Sequence, residues 1–439
     1  VTPPPALPRR RLLRGALYGA AAAAAAPALS ACGSVVGSSA VTGGLQFWNL
    51  FAGTDGGLMK KMLTQVERRV PELRATSTVL EWGASYYTKL AMSSAGGRPP
   101  DLAVMHVSRL AGYAPGGLLD PWDMDTLAEF GIRAEDLNPD ALKRGHYDGR
   151  PYALPLDTHP LVVYFDREAM DKAGLLDGDG RLVPFDSPED YLDAAQQLRA
   201  VKGKMGPVYG HVRDPAANWR LFWTLFAQTG AEFDISRKPA RIDRAAAVRV
   251  VRLMHRMMSP ECGSMDGASA IGAFANGSSP MIFTGEWDIT AFREVEGLDL
   301  GASPFPTLLG RPAAWADSHT FVLPHRDDPD PERRRDAHRL VAELFKASFT
   351  WAEAGHIPGY LPVVRSRAYG KLSPQSDYAK SAETPALDPP AWFFGAGTDV
   401  QSQMSQALQS ALGGGTSADE TVDRMTDAVE FSLGKPNPA

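Results

Sequence analysis

The chain has 439 residues, 44% of them apolar and 22% charged, a balance that excludes a disordered protein and leaves room for two or three globular domains. A net charge of −6 with no long basic block argues against nucleic acid as a partner. Two cysteines, Cys32 and Cys262, are too few for a disulfide framework.

The amino-terminal stretch reads as an export signal rather than as a short membrane anchor or a buried Ala-rich helix. Arg9, Arg10, Arg11 and Arg14 form a cationic segment, and Gly15 to Ala31 is small, apolar and uncharged. That stretch is marginal for a hydrocarbon core of about 30 Å. Leu29-Ser30-Ala31-Cys32 resembles a bacterial lipobox, which makes Cys32 the expected lipidation site and residues 1–31 a lipoprotein-type signal peptide. The arginine run also resembles the twin-arginine export consensus, leaving the Tat and Sec routes both open. Cleavage before Cys32 removes four arginines and no acid, moving the net charge from −6 to −10. Residues 32–43 then read as a lipid-anchored linker, and Cys262 is left without a disulfide partner.

The first structured unit opens with LQFWNLF (Leu45 to Phe51), an apolar run suited to a buried strand. An amphipathic segment with Leu58, Met62, Val66 and Val70 on one face follows. TSTVLEW, a helix around Tyr86 to Ser94 and DLAVMH continue the alternation, which predicts βαβ units and a parallel sheet covered on both faces. A second α/β unit starts at Pro160 with LVVYF. Ser187-Pro188 marks a helix start by its hydroxyl N-cap and Pro at N1. Helices are expected near Asn218 to Gln228 and Asp243 to Met258, a strand at SPMIF, another at TFVLP, and a helix from Pro331 to Phe349. Two helices, near Val400 to Leu412 and Ser417 to Leu433, complete the reading.

Motifs of common enzymes are missing: the sequence holds no HExxH, GxSxG, Walker A loop or post-strand GxGxxG. Its nine histidines are scattered without ligand spacing, the nearest pairs (His319 with His325, for example) lacking a matching cluster, so no metal site and no cofactor is expected. The informative residues are tryptophans beside Gly, Asn, Asp, Glu or His at predicted strand ends. Ligands of open α/β sheets bind beyond the carboxyl ends of strands. An indole there covers the C–H face of a sugar while carboxylates and amides take its hydroxyls. Trp287 and Trp219 are the stronger candidates; Trp48 and Trp223, inside apolar runs, read as core.

Four segments in order, Arg98 to Trp122, Gly149 to Leu175, Phe274 to Trp287 and Gly415 to Val429, resemble the bacterial extracellular solute-binding proteins of ABC importers, in the carbohydrate-binding family that includes maltose-binding protein. The resemblance implies a periplasmic-binding-protein-like α/β fold, with two α/β lobes, a multi-crossover hinge and an inter-lobe ligand cleft. Lobe one would be 43–157 plus 304–350, and lobe two 158–303 plus 351–439. It implies no catalysis, a monomer, and a small carbohydrate ligand delivered to ABC transporter permease subunits. With the lipobox, it places the protein outside the cytoplasm, anchored to the outer face of the cell membrane.

Ligand contacts carry over onto Asn49 in the loop after the first strand, Glu81 after the second, and His106 and Arg109 after the third. Where maltose-binding protein has an aromatic and an Asp-Arg pair, this chain has His106, Ser108 and Arg109. Asp157 and His159 lie at the first hinge crossing, Trp287 in a Gly-x-Trp match, and Trp219 where lobe two supplies an aromatic. Trp315, His319 and Tyr360 complete the expected set. Two other readings remain at this stage: a secreted carbohydrate-active enzyme, and a same-fold binder of a non-sugar solute such as a polyamine or a metal complex.

Overall fold

The computed structural model describes residues 43–185, 187–202, 205–258 and 264–437; the expected signal peptide, Cys32 with nearly all of the expected linker, and Cys262 lie outside the described residues. In chain order the first part carries β1 (Leu45–Asn49), α1 (Gly53–Arg69), β2 (Ala75–Val79), α2 (Ala84–Ala95), β3 (Leu102–His106), β4 (Leu119–Asp120) and β5 (Ala153–Pro155). A ten-residue strand, β6 (Asp157–Asp166), follows. Then come α3 (Pro188–Lys202), β7 (Val208–Gly210), α4 (Ala217–Thr229), α5 (Arg244–Met257), β8 (Ser264–Met265), α6 (Gly267–Ala275), β9 (Met281–Gly285), β10 (Leu300–Pro304) and β11 (Ala314–Asp317). The last part holds β12 (His319–Pro324), α7 (Pro331–Lys346), α8 (Phe349–Ala352), β13 (Ile357–Pro358), β14 (Pro385–Ala386), α9 (Asp399–Leu412) and α10 (Ala418–Leu433).

Capping chemistry sets several helix starts. The Ser187 hydroxyl accepts from Asp190 N at 3.1 Å, as its place before Pro188 predicts. Asp330 accepts from Glu332 N and Arg333 N with Pro331 at the first turn, and Ser417 accepts from Glu420 N.

The strands form two large sheets. The first runs β2-β1-β3-β12-β4, with β5 also on β12. The second runs β8-β7-β9-β6-β11-β14, with β10 and β13 also on β6. The expected parallel pairing holds for β2, β1 and β3. It fails around β6, whose pairs with β9, β10, β11 and β13 are all antiparallel. An apolar run such as LVVYF is equally at home in either pairing when both faces are covered, so composition could not separate them.

Each sheet has its own core. Phe47, Val104, Leu154, Phe321, Leu340 and Trp351 belong to the first. Val163, Phe165, Phe222, Met254, Phe283, Trp315 and Leu408 belong to the second, while Val162 and Tyr164 on the opposite face of β6 join Ile282, Phe292 and Ile357. The chain passes between the two bodies at Leu156, at Ser318 and between Trp351 and Ile357. The second passage corrects the expected boundary at 304. Phe305, Leu308, Ala314 and Trp315 pack in the second core, because β11 pairs with β6 and β14.

Candidate ligand-binding site

The three passages bring together side chains that the sequence scatters over two hundred positions. Asp157 is fully buried at the start of β6. Its carboxylate accepts from the Trp351 indole N–H at 2.7 Å and from the His319 backbone N–H at 2.8 Å. It also meets His159 Nδ1 at 3.0 Å and His319 Nδ1 at 2.8 Å. The His159 and His319 rings stack at 4.2 Å, and His106 at the end of β3 lies 4.6 Å from His319 and 5.3 Å from His159 between ring centroids. The scatter of the nine histidines is thus a property of the sequence alone: His106, His159, His319 and His356 converge, whereas His325 pairs with Asp120 elsewhere.

Electrostatics follow from burial and neighbours. Burial pushes the Asp157 carboxyl up, but His319 and His159 outweigh it and hold the group well below the usual carboxylate range. Burial and the neighbouring His319 push His159 down to about 3, and burial with His319 and His159 lowers His106. Burial pulls His356 down as well, yet the Asp55 and Glu286 carboxylates win and hold it well above the ordinary imidazole value. Burial lifts Glu286 to about 8.

On the second-body side, Trp287 follows β9 and is half-buried. Gly285 makes its position possible: a Cβ there would lie 2.1 Å from the Trp287 ring. The Arg220 guanidinium lies over both Trp287 (5.4 Å) and Trp315 (4.7 Å), and its buried Nε has no hydrogen-bond partner. Asp288 stands nearby, its carboxyl lifted to about 6 by burial. On the first-body side, the Arg109 guanidinium covers the Tyr87 ring at 4.6 Å, and the Tyr87 hydroxyl lies 2.6 Å from His106 Nδ1. Indoles and imidazoles from both bodies therefore meet around His159, whose ring centroid lies 5.3 Å from His106, 6.0 Å from Trp287 and 6.1 Å from Trp315, a chemistry suited to a polyhydroxylated guest.

Of the expected contact residues, His106, Asp157, His159, Trp287, Trp315 and His319 converge here, with Arg109 one ring away. Four lie outside the cluster. Both ends of the Asn49 amide are used within the first body, the NH₂ donating to Ser77 Oγ on β2 and the oxygen accepting from Phe51 N in the turn. Glu81 is exposed. Trp219 is fully buried, stacked on Trp223, with its N–H on Asp388 Oδ1 at 2.8 Å. Tyr360 stacks on Phe345. Sequence reasoning missed Arg220, Asp288, His356 and Glu286. Arg220 carried a local signal as the neighbour of Trp219, three residues before Trp223 on the same helix, and Glu286 and Asp288 flank Trp287.

The bodies touch where Ala396 N donates to Ser108 Oγ at 3.0 Å, and where Ser108 N donates to Asp317 Oδ1 at 3.2 Å. They part at a groove of about 1010 Å³, lined by Leu110, Arg144 and Tyr147 from one side and Trp223, Arg311 and Trp392 from the other.

Residues 82–384 match the family model described as "Bacterial extracellular solute-binding protein". No curated protein sequence matches the chain. Among solved structures, the chain is similar to maltose-bound MalE3 of T. maritima, with 17% identity, a TM-score of 0.73, and 88% of this chain and 99% of that chain covered. It is also similar to the GacH receptor of Streptomyces glaucescens, described unliganded and with acarbose, at 19% identity and a TM-score of 0.72, with 89% and 98% covered. UgpB of Mycobacterium tuberculosis in complex with glycerophosphocholine gives 16% identity and a TM-score of 0.73, again over 89% and 98%. At these identities the likeness speaks for the fold.

Proposed function

The chain belongs to the bacterial extracellular solute-binding proteins, and from that premise we propose that it captures a sugar or oligosaccharide between its two bodies and delivers it to an ABC permease. The bodies act as the lobes of a hinge, 43–156 with 319–351 against 157–317 with 357–437. The observation that carries this reading is the convergence of His106 and Arg109 from one body with Trp287 and the Trp-stacked Arg220 from the other. Contact at Ser108 and separation at the large groove support a pair that rocks about its crossings.

A ligand moves such a pair only by its differential affinity for the closed arrangement. Micromolar binding supplies about 8 kcal/mol in all, ample for a hinge whose states differ by a few. The bound sugars of MalE3 and the acarbose of GacH support the carbohydrate class. The glycerophosphocholine of UgpB favours one second reading, a polar phosphodiester held by Arg220 and Arg109.

No covalent step is part of this function. Cys32 carries the lipid, residues 1–31 are removed on export, and the protein works as a monomer on the outer face of the membrane. Among the described residues no helix is long and apolar enough to cross a bilayer. Thermal-shift screening against malto-oligosaccharides, monosaccharides and glycerophosphocholine tests the reading. Stabilisation by a sugar that is recovered unchanged is expected. Turnover of the sugar, or stabilisation by the phosphodiester alone, contradicts it.

A further inference from the structure

We propose that the hinge holds a divalent transition-metal cation of the zinc class, ligated by Asp157, His159, His319 and His356. One donor atom from each of these four buried residues lies within 4.8 Å of all the others. His319 Nδ1 and His356 Nδ1 lie 2.8 Å and 3.5 Å from Asp157 Oδ2, and His159 Nδ1 lies 3.0 Å from Oδ1 of the same carboxylate. Four-coordinate zinc bonds nitrogen and oxygen at about 2.0–2.2 Å, which sets edges between ligands of about 3.3–3.5 Å. Small outward movements of His159 and His319 therefore open this cluster into a coordination shell.

A second observation points the same way. His356 Nδ1 sits 2.7 Å from Glu286 Oε1, yet neither ring nitrogen of His356 and neither oxygen of Glu286 is aligned in a hydrogen bond. His356 Nε2 also lies 3.3 Å from Asp55 Oδ2, so the ring sits among the carboxylates of Glu286, Asp55 and Asp157, an anionic surround suited to a cation. Gly355, with φ +105°, brings the chain this close: a Cβ there would lie 2.1 Å from the Glu286 carbonyl oxygen. The outer shell is also in place. Trp351 Nε1 and the His319 amide orient Asp157, and the Trp351 ring lies flat on His356 at 4.5 Å between centroids.

The four ligands come from all three passages between the bodies: Asp157 and His159 from the first, His319 from the second, His356 from the third. A cation here ties the hinge strands to one another at their common axis. The proposal stands apart from the sugar reading, since it needs no carbohydrate.

The test titrates the full chain, free of any affinity tag and stripped with chelator, with Co²⁺ alone and then Zn²⁺. One equivalent per chain with the ligand-field absorption of four-coordinate cobalt, displaced by Zn²⁺, is expected. His319→Gln and His356→Gln should each lose the band and weaken binding at least tenfold while circular dichroism stays native. No stoichiometric binding by the unaltered chain overturns the proposal, as does a band that survives both substitutions. Should either variant unfold, X-ray absorption on the zinc-loaded unaltered chain decides. Three imidazoles and one carboxylate oxygen support the site, and a shell of water or of other residues refutes it.

Discussion

The two halves of β6 are equally buried and chemically opposite. From Leu161 to Phe165 the strand is an apolar ladder, its side chains split between two cores on opposite faces. From Asp157 to His159 the same degree of burial encloses a carboxylate and an imidazole. Removal from water stabilises the first half directly. In the second half it is costly unless every charge and donor finds a partner, and those partners must come from other elements. Trp351, His319 and His356 are those partners, all from the far end of the chain. The comparison teaches that the apolar half fixes the body, while the polar half fixes how the bodies are joined.

The sharpest way to break that contrast is Asp157→Ala. It strips the acceptor from the Trp351 indole, the His319 amide and two imidazoles, and should cost about 4 kcal/mol in denaturant unfolding. Leu161→Ala in the other half removes only packing and should cost about 3 kcal/mol. Equal and small losses at both positions would erase the distinction. Trp287→Ala, at the edge of the polar region, should weaken sugar binding by at least tenfold, about 1.4 kcal/mol, with the unfolding midpoint nearly unchanged. Unaltered calorimetric affinity would remove Trp287 from the site.

Asp388 sharpens the comparison by pH. Burial and the neighbouring Asp317 lift its carboxyl to about 7 against the pull of the Trp219 and Trp315 indoles and Arg144. Between about pH 4 and pH 7 the folded chain holds this proton and the unfolded chain does not. Stability should therefore fall as pH rises through that window, by at most about 1.4 kcal/mol per pH unit from this group. Asp388→Asn, whose amide oxygen still accepts both indole bonds, should flatten that part of the slope in unfolding curves. The smallest effect belongs to the surface: Arg244→Ala breaks exposed, solvent-screened pairs with Asp419 and Asp423 and should leave the unfolding midpoint nearly unchanged.

Much of the scaffold was legible because its signals are local. The apolar runs became β1, β3 and β6, and the periodic segments with capping residues became α3, α5, α7 and α10. The junction was legible only in part. Asp157, His159 and Trp287 were reachable by resemblance, but the meaning of the histidines was not. Spacing rules read ligands along one helix or turn, whereas His159 and His356 meet because three separate passages share an axis. The boundary at 304 failed for a related reason. The segment leading to β11 is apolar enough for either core, and only strand pairing with β6 and β14 assigns it.

Small-angle scattering of the full chain, with and without a saturating oligosaccharide, tests most directly whether the two bodies swing about their shared strands to hold a guest. A radius of gyration that falls on saturation, with the sugar recovered intact, is the predicted result. Tight binding that leaves the scattering curve unchanged would contradict the account.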